Sequence, residues 1–502
     1  VAGLVNRIAA RFGFVRKTEA RAVAEGVIRS YQAAVVNRLT ADWSPAILTE
    51  EAELRRGLRA LRGRSRSLAQ NNDYVKSWLR KSKANIVGPD GIRLQMNVRQ
   101  DDGTKDATAN AIIEREWARW SKVGTATVCG RLSLIDALDM IVESAMRDGE
   151  CLVRMVTVPT TRNRWGFALQ VIEADQLDET HNPDLPNGNQ VRMSIEFTPE
   201  GRPVAAWLLT RHPGDVTGGS RERVRVPMDE LVHFVAVYHR PTQPRGVPEA
   251  HTAMIRLNHF GAYEEAEVVA SRVAASKMGF FKSPDGEPPP GVTPENPNDP
   301  NNPGRFIEEA TPGMFGVLPE GYDFVSFDPQ HPAANYASAG KMFLRGASAG
   351  LGINYNELAN DLEGVNYSSL RSATLSDRDL WSRWQRRVIE HVLDRIFPVW
   401  LRNSMLAGAI TLPLSKFDKF NAPQWRARGW QWVDPLKDAQ AKALELDRNL
   451  TTRRRILAER GEDLDEVLAE RAAEEALLTS YKLADAKTSA TVNPAKEGDP
   501  NA

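Results

Sequence analysis

From Leu380 onward, Trp381, Trp384, Val388, Val392, Ile396 and Trp400 recur at three- and four-residue steps, while Arg378, Arg383, Arg386, Arg387 and Arg395 take other faces. That spacing predicts one long amphipathic helix whose aromatic stripe must be buried against other elements. Pro398 is expected to kink or end it. Directly upstream lies GINYNELANDLEG, bounded by Gly352 and Gly364, which leads through VNYSSLR into the helix. Its acidic residues Glu357, Asp361 and Glu363 and its terminal glycines read as a movable flap whose charge would repel a polyanion such as DNA. Neither half has the look of an active site; the pair suggests a conduit.

The layers that such a helix needs are visible upstream. Leu54, Leu58, Leu61, Leu68, Val75, Trp78 and Leu79 have helical spacing, broken at Asn71-Asn72-Asp73, where a second helix can be capped. Gly88-Pro89-Asp90-Gly91 makes a turn, Ile92, Leu94 and Met96 alternate as in a strand, and helices are expected over 107–120 and 133–147. Between Glu150 and Val237 the period shifts towards two in CLVRMVTV, FALQVI, RMSIEF, AAWLLT and LVHFVAVY. An Ala-rich helix is expected from Glu249 to Lys277, with Pro248 in a permitted first-turn position. Ser283 to Gly304 is too proline-rich for a regular element, with short strand candidates around it at 279–282, 314–318 and 324–327. A helix over 334–349 precedes the flap, and one or two helices broken at Gly461 follow Asp434. The expected class is α+β, predominantly α.

Composition narrows the function classes. Lys plus Arg equals Asp plus Glu, so the chain lacks the global basicity of a protein that stays bound to nucleic acid. Residues 1–100 nevertheless hold about twice as many basic as acidic side chains. Arg55, Arg56, Arg59, Arg62, Arg64 and Arg66 could face phosphate or an acidic partner, although solvated helix faces are the commoner explanation. Cys129 and Cys151 are the two cysteines and make no disulfide framework, which suggests a reducing compartment; Cys151 reads as a small buried hydrophobe. Neither a membrane-spanning run nor a cleavable signal pattern is seen, so the chain is expected to be soluble and intracellular until it joins a larger assembly.

Catalytic signals are weak. Gly346-Ala347-Ser348-Ala349-Gly350 fits the GxSxG nucleophile elbow, with Lys341 to Arg345 as the preceding strand, and makes a serine hydrolase using Ser348 the enzymatic alternative. The one downstream histidine, His391, lies inside the amphipathic helix, and small residues near the end of a packed helix explain the string as well. GxxxxGK[ST] is absent. His233, His239, His251 and His259 lack metal-ligand spacing and read as polar surface or interface residues. The 12 Trp residues sit mostly at helical spacing, which favours core packing over base stacking. No catalytic residue, metal or cofactor is expected.

Four strings, taken in order, resemble the lambda-type portal proteins of tailed bacteriophages. They are Arg64-Ser65-Arg66 with Leu68, Asn71, Asn72 and Asn85 to Gly88; Gly130 to Ser133 with Arg147-Asp148-Gly149-Glu150; Gln243 to Pro248; and Gly352 to Tyr355 with Leu358, Ala359, Asp361 and Asn366 to Arg371. The resemblance implies a dodecameric ring at one capsid vertex, through which double-stranded DNA is packaged and ejected. Implied partners are further copies of the chain, the terminase large subunit, head completion or connector proteins, and major capsid and scaffold proteins, with no membrane. Implied places are the virion and, during assembly, the host cytoplasm. The family architecture would make 1–45 an arm, 46–246 the wing, 247–277 the first stem helix and 278–332 the clip. The second stem helix would be 333–350, the tunnel loop 351–365, the long wing helix and return 366–433, the crown helices 434–483, and a disordered tail 484–502. The channel-facing candidates are Asn354, Tyr355, Asn356, Glu357, Asn360, Asp361 and Glu363. A non-ring DNA-binding protein using the N-terminal arginines is the remaining alternative.

Overall fold

The computed structural model describes residues 47–216, 222–275, 279–282, 323–326, 336–430, 435–459, 462 and 464–481. The arm, the Pro-rich segment at 283–304, the strand candidate at 314–318, Gly461 and the terminal tail lie outside them. Contacts divide the chain into units 1–56 and 57–502. In the first, the described residues are 47–56, where a helix begins and Arg55 pairs with Glu51; all other described residues belong to the second.

Helix α1 (Glu50–Asn71) and helix α2 (Asp73–Ile86) meet where expected, because the Asn72 side chain accepts from Val75 N at 3.1 Å and starts the second helix. After the glycine turn comes β1 (Arg93–Met96), then α3 (Ala107–Trp120) and α4 (Leu134–Asp148). Ser133 and Asp136 form a reciprocal capping box at the start of α4. The period-two region folds as β2 (Glu150–Thr157), β3 (Phe167–Ile172), β4 (Gln190–Arg192), β5 (Ile195–Phe197), β6 (Pro203–Leu209), β7 (Arg223–Pro227) and β8 (Leu231–Val235). All pairings are antiparallel, in a three-stranded sheet ordered β3-β2-β8 and a four-stranded sheet ordered β4-β5-β6-β7.

Along β2, Cys151, Val153 and Met155 point into the main core, whereas Leu152 points into a second core with Ile172, Ile195, Leu208, Val226 and Leu231. A strand buried on both faces reads as a continuous apolar run, as this one does. RMSIEF departs from the expectation of a single strand. Met193 (φ 48°) and Ser194 (φ 71°) form a two-residue turn that folds β4 onto β5, and both are fully buried. Two successive positive φ values give the hairpin turn that Asn-Gly usually supplies; here bonds from Met193 N to Asn182 Oδ1 (2.6 Å) and from Ser194 Oγ to Asp178 O (2.9 Å) hold it.

The Ala-rich segment opens with a 3₁₀ turn, Glu249–Thr252, before α5 (Met254–Ala275). Strands β9 (Gly279–Lys282) and β10 (Asp323–Ser326) pair across the long intervening segment. Helix α6 (Tyr336–Leu351) packs on α5, with Phe260 and Phe343 stacked at 5.7 Å. Then come the short α7 (Tyr355–Ala359) and the long α8 (Tyr367–Val388). A single π turn, Ile389–Leu393, joins α8 to α9 (Asp394–Leu406), so the helix runs past Pro398 instead of ending there. Pro398 cannot donate to the Asp394 carbonyl, and the wide turn places the irregularity just ahead of it.

The predicted aromatic stripe is the centre of the main core. Trp120 and Trp400 are fully buried, and Trp117 meets Trp120 at 4.9 Å and Trp400 edge-on at 4.8 Å. After α10 (Phe417–Phe420), β11 (Pro423–Arg426) returns to pair with β1, a partnership across more than 300 residues that local pattern cannot reveal. Three helices close the described chain, α11 (Pro435–Asp447), α12 (Arg453–Glu459) and α13 (Leu464–Ser480), one more than expected. Among the described residues no helix is long and apolar enough to cross a membrane.

Candidate functional site

The Gly-bounded acidic segment is an organised excursion between α6 and α8. Helix α6 ends at Gly352 (φ 66°), and the Ile353 N–H bonds back to Ser348 O at 3.2 Å, a helix-ending motif that needs the left-handed conformation. Ile353 is buried and Asn354 caps α7, its side-chain oxygen accepting from Glu357 N at 3.0 Å. Asn360 (φ 56°) ends α7, and Asn366 caps α8 by accepting from Ser369 N at 2.8 Å. The middle of the flap, Tyr355–Ala359, is therefore helix.

Its side chains divide accordingly. Glu357 pairs with Lys81 of α2 at 3.2 Å, and Lys81 also reaches Asn360 Oδ1 at 3.3 Å. Asp361 pairs with Lys341 of α6 at 3.4 Å and accepts from the Tyr355 hydroxyl at 2.7 Å, and the Tyr355 ring lies under Arg345. Burial first, then the Asp361 carboxylate, pushes the Tyr355 phenol up to about 12. Asn356 is half-buried, whereas Leu362, Glu363 and Gly364 are exposed. Two of the three acids thus have their charge compensated locally, which sequence could not show because their cations lie on other elements, the helices α2 and α6.

Beneath the loop sits Asp377 of α8, 4% exposed. It accepts from Asn354 N at 3.1 Å and from the Asn354 side-chain amide. Burial pushes this carboxyl up to about 6 against the pull of those hydrogen bonds, and the nearby Glu357 charge adds to the rise. Sequence reasoning missed Asp377; its signal was an acid on the apolar approach to Leu380 and Trp381.

Of the arginines of α1, Arg55, Arg56, Arg59 and Arg64 are exposed, whereas Arg62 and Arg66 turn inward. Arg62 is 1% exposed and pairs with Glu150 Oε1 of β2 at 2.5 Å, while its Nε donates to Asp148 O at 2.9 Å. Arg66 pairs with Asp148 at 2.8 Å and with Asp175. Arg245, fully buried, donates to Glu150 Oε1 through Nε at 2.7 Å and to the carbonyls of Ala174 (2.9 Å) and Met193 (3.1 Å). Gly246 N and His233 Nε2 complete the set on Glu150 Oε2, at 2.7 and 2.8 Å. Burial alone would raise the Glu150 carboxyl, but Arg245, Arg62 and His233 reverse this and hold it well below the usual range. His233 is thus part of a buried network and not a surface residue. The backbones meet so closely that a Cβ on Gly246 would fall 2.0 Å from Gly149 O. The strings at 64–66, 147–150 and 243–248 are one structural joint; acids and arginines embedded in apolar context were its signal.

The other candidates resolve by geometry. Lys341 to Arg345 is helix, and Ser348 lies in the last turn of α6 with its hydroxyl donating to Arg345 O at 2.8 Å, so GASAG is not a nucleophile elbow. Its Gly346 leaves room for the Arg256 guanidinium of α5: a Cβ there would lie 1.7 Å from Arg256 Nη1. Glu173, Asp175 and His212 bring potential ligand atoms together. However, His212 Nδ1 accepts from Gly214 N at 3.0 Å, so the neutral ring carries its proton on Nε2, and Asp175 serves Arg66. That arrangement does not fit a metal. Arg387 and Arg395, assigned to the polar faces of the long helix, donate to the carbonyls of Val235 (2.8 Å) and Met228 (2.7 Å).

Comparison with known proteins agrees with this arrangement of strings. The profile of the family described as "Phage portal protein, lambda family" matches residues 36–385. The probable portal protein of Halomonas phage phiHAP-1 is 35% identical over 445 residues, covering 88% of this chain and 85% of its own. Portal protein B of Escherichia phage lambda is 26% identical over 149 residues, 28% of this chain and 27% of its own. A solved chain from the neck of an empty GTA particle aligns at 12% identity and a TM-score of 0.44, over 79% of this chain and 93% of that one. On the extent of the family match and the 35% identity, this chain belongs to the lambda family of phage portal proteins.

Proposed function

We propose that this chain assembles into a dodecameric ring at one vertex of a phage capsid and acts as the conduit for double-stranded DNA during packaging and ejection. The family match over residues 36–385 carries this reading. In the same reading 46–246 is wing, α5 and α6 are stem, 278–332 is clip, 351–365 is tunnel loop, α8 and α9 return to the wing, and α11 to α13 are crown. Terminase large subunit and connector proteins dock at the clip, while capsid and scaffold proteins meet the outer surface. The chain works in the virion, after assembly in the host cytoplasm, and contributes shape and charge instead of chemistry.

The helices support an assembly. On α5, Ile255 is 67% exposed and Val268 and Val269 are about half exposed, and on α6 Met342 is 66% exposed. Apolar side chains on two packed neighbours are what heterologous contacts between identical copies would cover. The electrostatics support sliding. Each cation that neutralises a phosphate adds salt-dependent affinity, so a strongly basic lining would hold DNA fast. A chain of zero formal charge whose loop acids pair with Lys81 and Lys341 of the neighbouring helices avoids this.

The test is imaging of the purified full chain by electron microscopy. Rings with a central hole are expected, and a monomer that persists across salt concentrations would overturn the reading. Replacing Ile255 and Val269 together with glutamate is expected to abolish rings while leaving the fold intact by circular dichroism.

A further inference from the structure

We propose that Asp377 is a positioning residue that divides the loop into a fixed stalk, residues 352–359, and an exposed tip, residues 360–366, which alone presents side chains to what passes. The inference deepens the conduit reading and rests on it for the identity of the passing polymer.

Three contacts fix the stalk, and they act in sequence. The left-handed Gly352 ends α6, Ile353 is buried, and Asn354 is then held by both of its nitrogen donors on one carboxylate. Because the Asn354 amide nitrogen points at Asp377, its oxygen is turned towards Glu357 N, where it caps α7. One buried acid therefore sets the direction of the next helix. Lys81 holds the far end of that helix through Glu357 and Asn360. The tip differs. Its outer residues Leu362, Glu363 and Gly364 are exposed, and Leu362 reaches 65%. Asp361 and Lys341 mark where stalk and tip meet. Glu363 is then the acid that meets the polymer, while Asn354, Tyr355, Glu357 and Asp361 support it.

Backbone hydrogen exchange on the assembled full chain tests this. In Asp377→Asn the new amide sets a donor against the Asn354 donor. Losing a hydrogen bond to a charged group should speed exchange at the Asn354 and Glu357 amides roughly tenfold to a hundredfold. The amides of residues 361–364 and of β2 should stay unchanged. Asn354→Asp should speed exchange at the residue 354 amide, because aspartate can still cap α7 but sets a second carboxylate against Asp377. Joining the two substitutions exchanges amide and carboxylate and should restore protection, which a general loss of packing would not allow. Unchanged exchange in both single variants, or no recovery in the double variant, would overturn the proposal. DNA packaging measured on the same variants separates it from the conduit reading. Faster stalk exchange with packaging indifferent to Glu363→Lys would sink the channel-facing role of the tip and keep the anchor; unchanged exchange with defective packaging would sink the anchor alone; and absence of rings would sink the conduit reading on its own.

Discussion

Two buried carboxylates organise this chain, and their surroundings are opposite. Glu150 sits among Arg62, Arg245 and His233, whereas Asp377 faces the nitrogen donors of Asn354, with Glu357 nearby as a further negative charge. The first is a joint that must not move: it ties α1, the sheet, the Met193 turn and the chain entering α5. The second holds one loop by hydrogen bonds that a single proton or amide exchange can weaken. Full charge compensation marks the permanent contact and partial compensation the adjustable one.

The largest break in that contrast should come from Glu150→Gln, which leaves two arginines buried around a neutral group. Breaking a buried pair costs about 3–5 kcal/mol. Urea unfolding should register that loss, and a loss below about 1 kcal/mol would show that the joint is dispensable. Gly246→Ala should follow at about 1–3 kcal/mol, since the overlap with Gly149 forces backbone to shift. Val247→Ala, one residue on, gives the cost of lost packing without that overlap.

Acid should act on the two carboxylates with opposite sign. The folded carboxyl of Glu150 is depressed, so its contribution is present above its ordinary value of 4.5 and fades as pH falls through its lower folded one. The folded carboxyl of Asp377 is raised from 3.8 to about 6, so its favourable contribution is complete below about 3.8 and is lost as pH rises through 6. Between pH 7 and pH 5 the wild type should therefore gain stability relative to Asp377→Asn, with Glu150 still charged throughout. Paired urea titrations at the two pH values check this, and parallel behaviour of the two proteins would contradict it. The smallest effect should be a reporter signal. Burial pushes the Cys151 thiol up to about 12, so alkylation of the native chain should fall on the exposed Cys129. Glu150→Gln should speed labelling of Cys151, whereas Asp377→Asn should not.

Much of the helical framework was legible, because three- and four-residue spacing records the buried face directly; α2, α3 and α4 and the stripe from Leu380 to Trp400 lie where their apolar residues put them. Caps at Asn72 and Ser133 were equally local. Strand β7 was missed because Arg223 and Arg225 dilute its pattern, and the RMSIEF turn because methionine and serine rarely occupy left-handed backbone. Of the two outcomes expected at Pro398, the end does not occur, because the helix has widened by a π turn just ahead of it and continues to Leu406.

The candidate site was legible as a segment and not as a set of contacts. Glycines at 352 and 364 mark the ends of the excursion, yet the acids between them looked alike in sequence. Sequence alone settled the family, the class and the order of most helices, since each depends on residues near one another in the chain. Tertiary structure decided which charges are free to act. Lys81, Lys341 and Asp377 reach the loop, and Arg62 and Arg245 reach Glu150, across separations of about 20 to 280 residues. A charge is neutralised by whatever stands a few ångströms away, and the fold alone sets that distance.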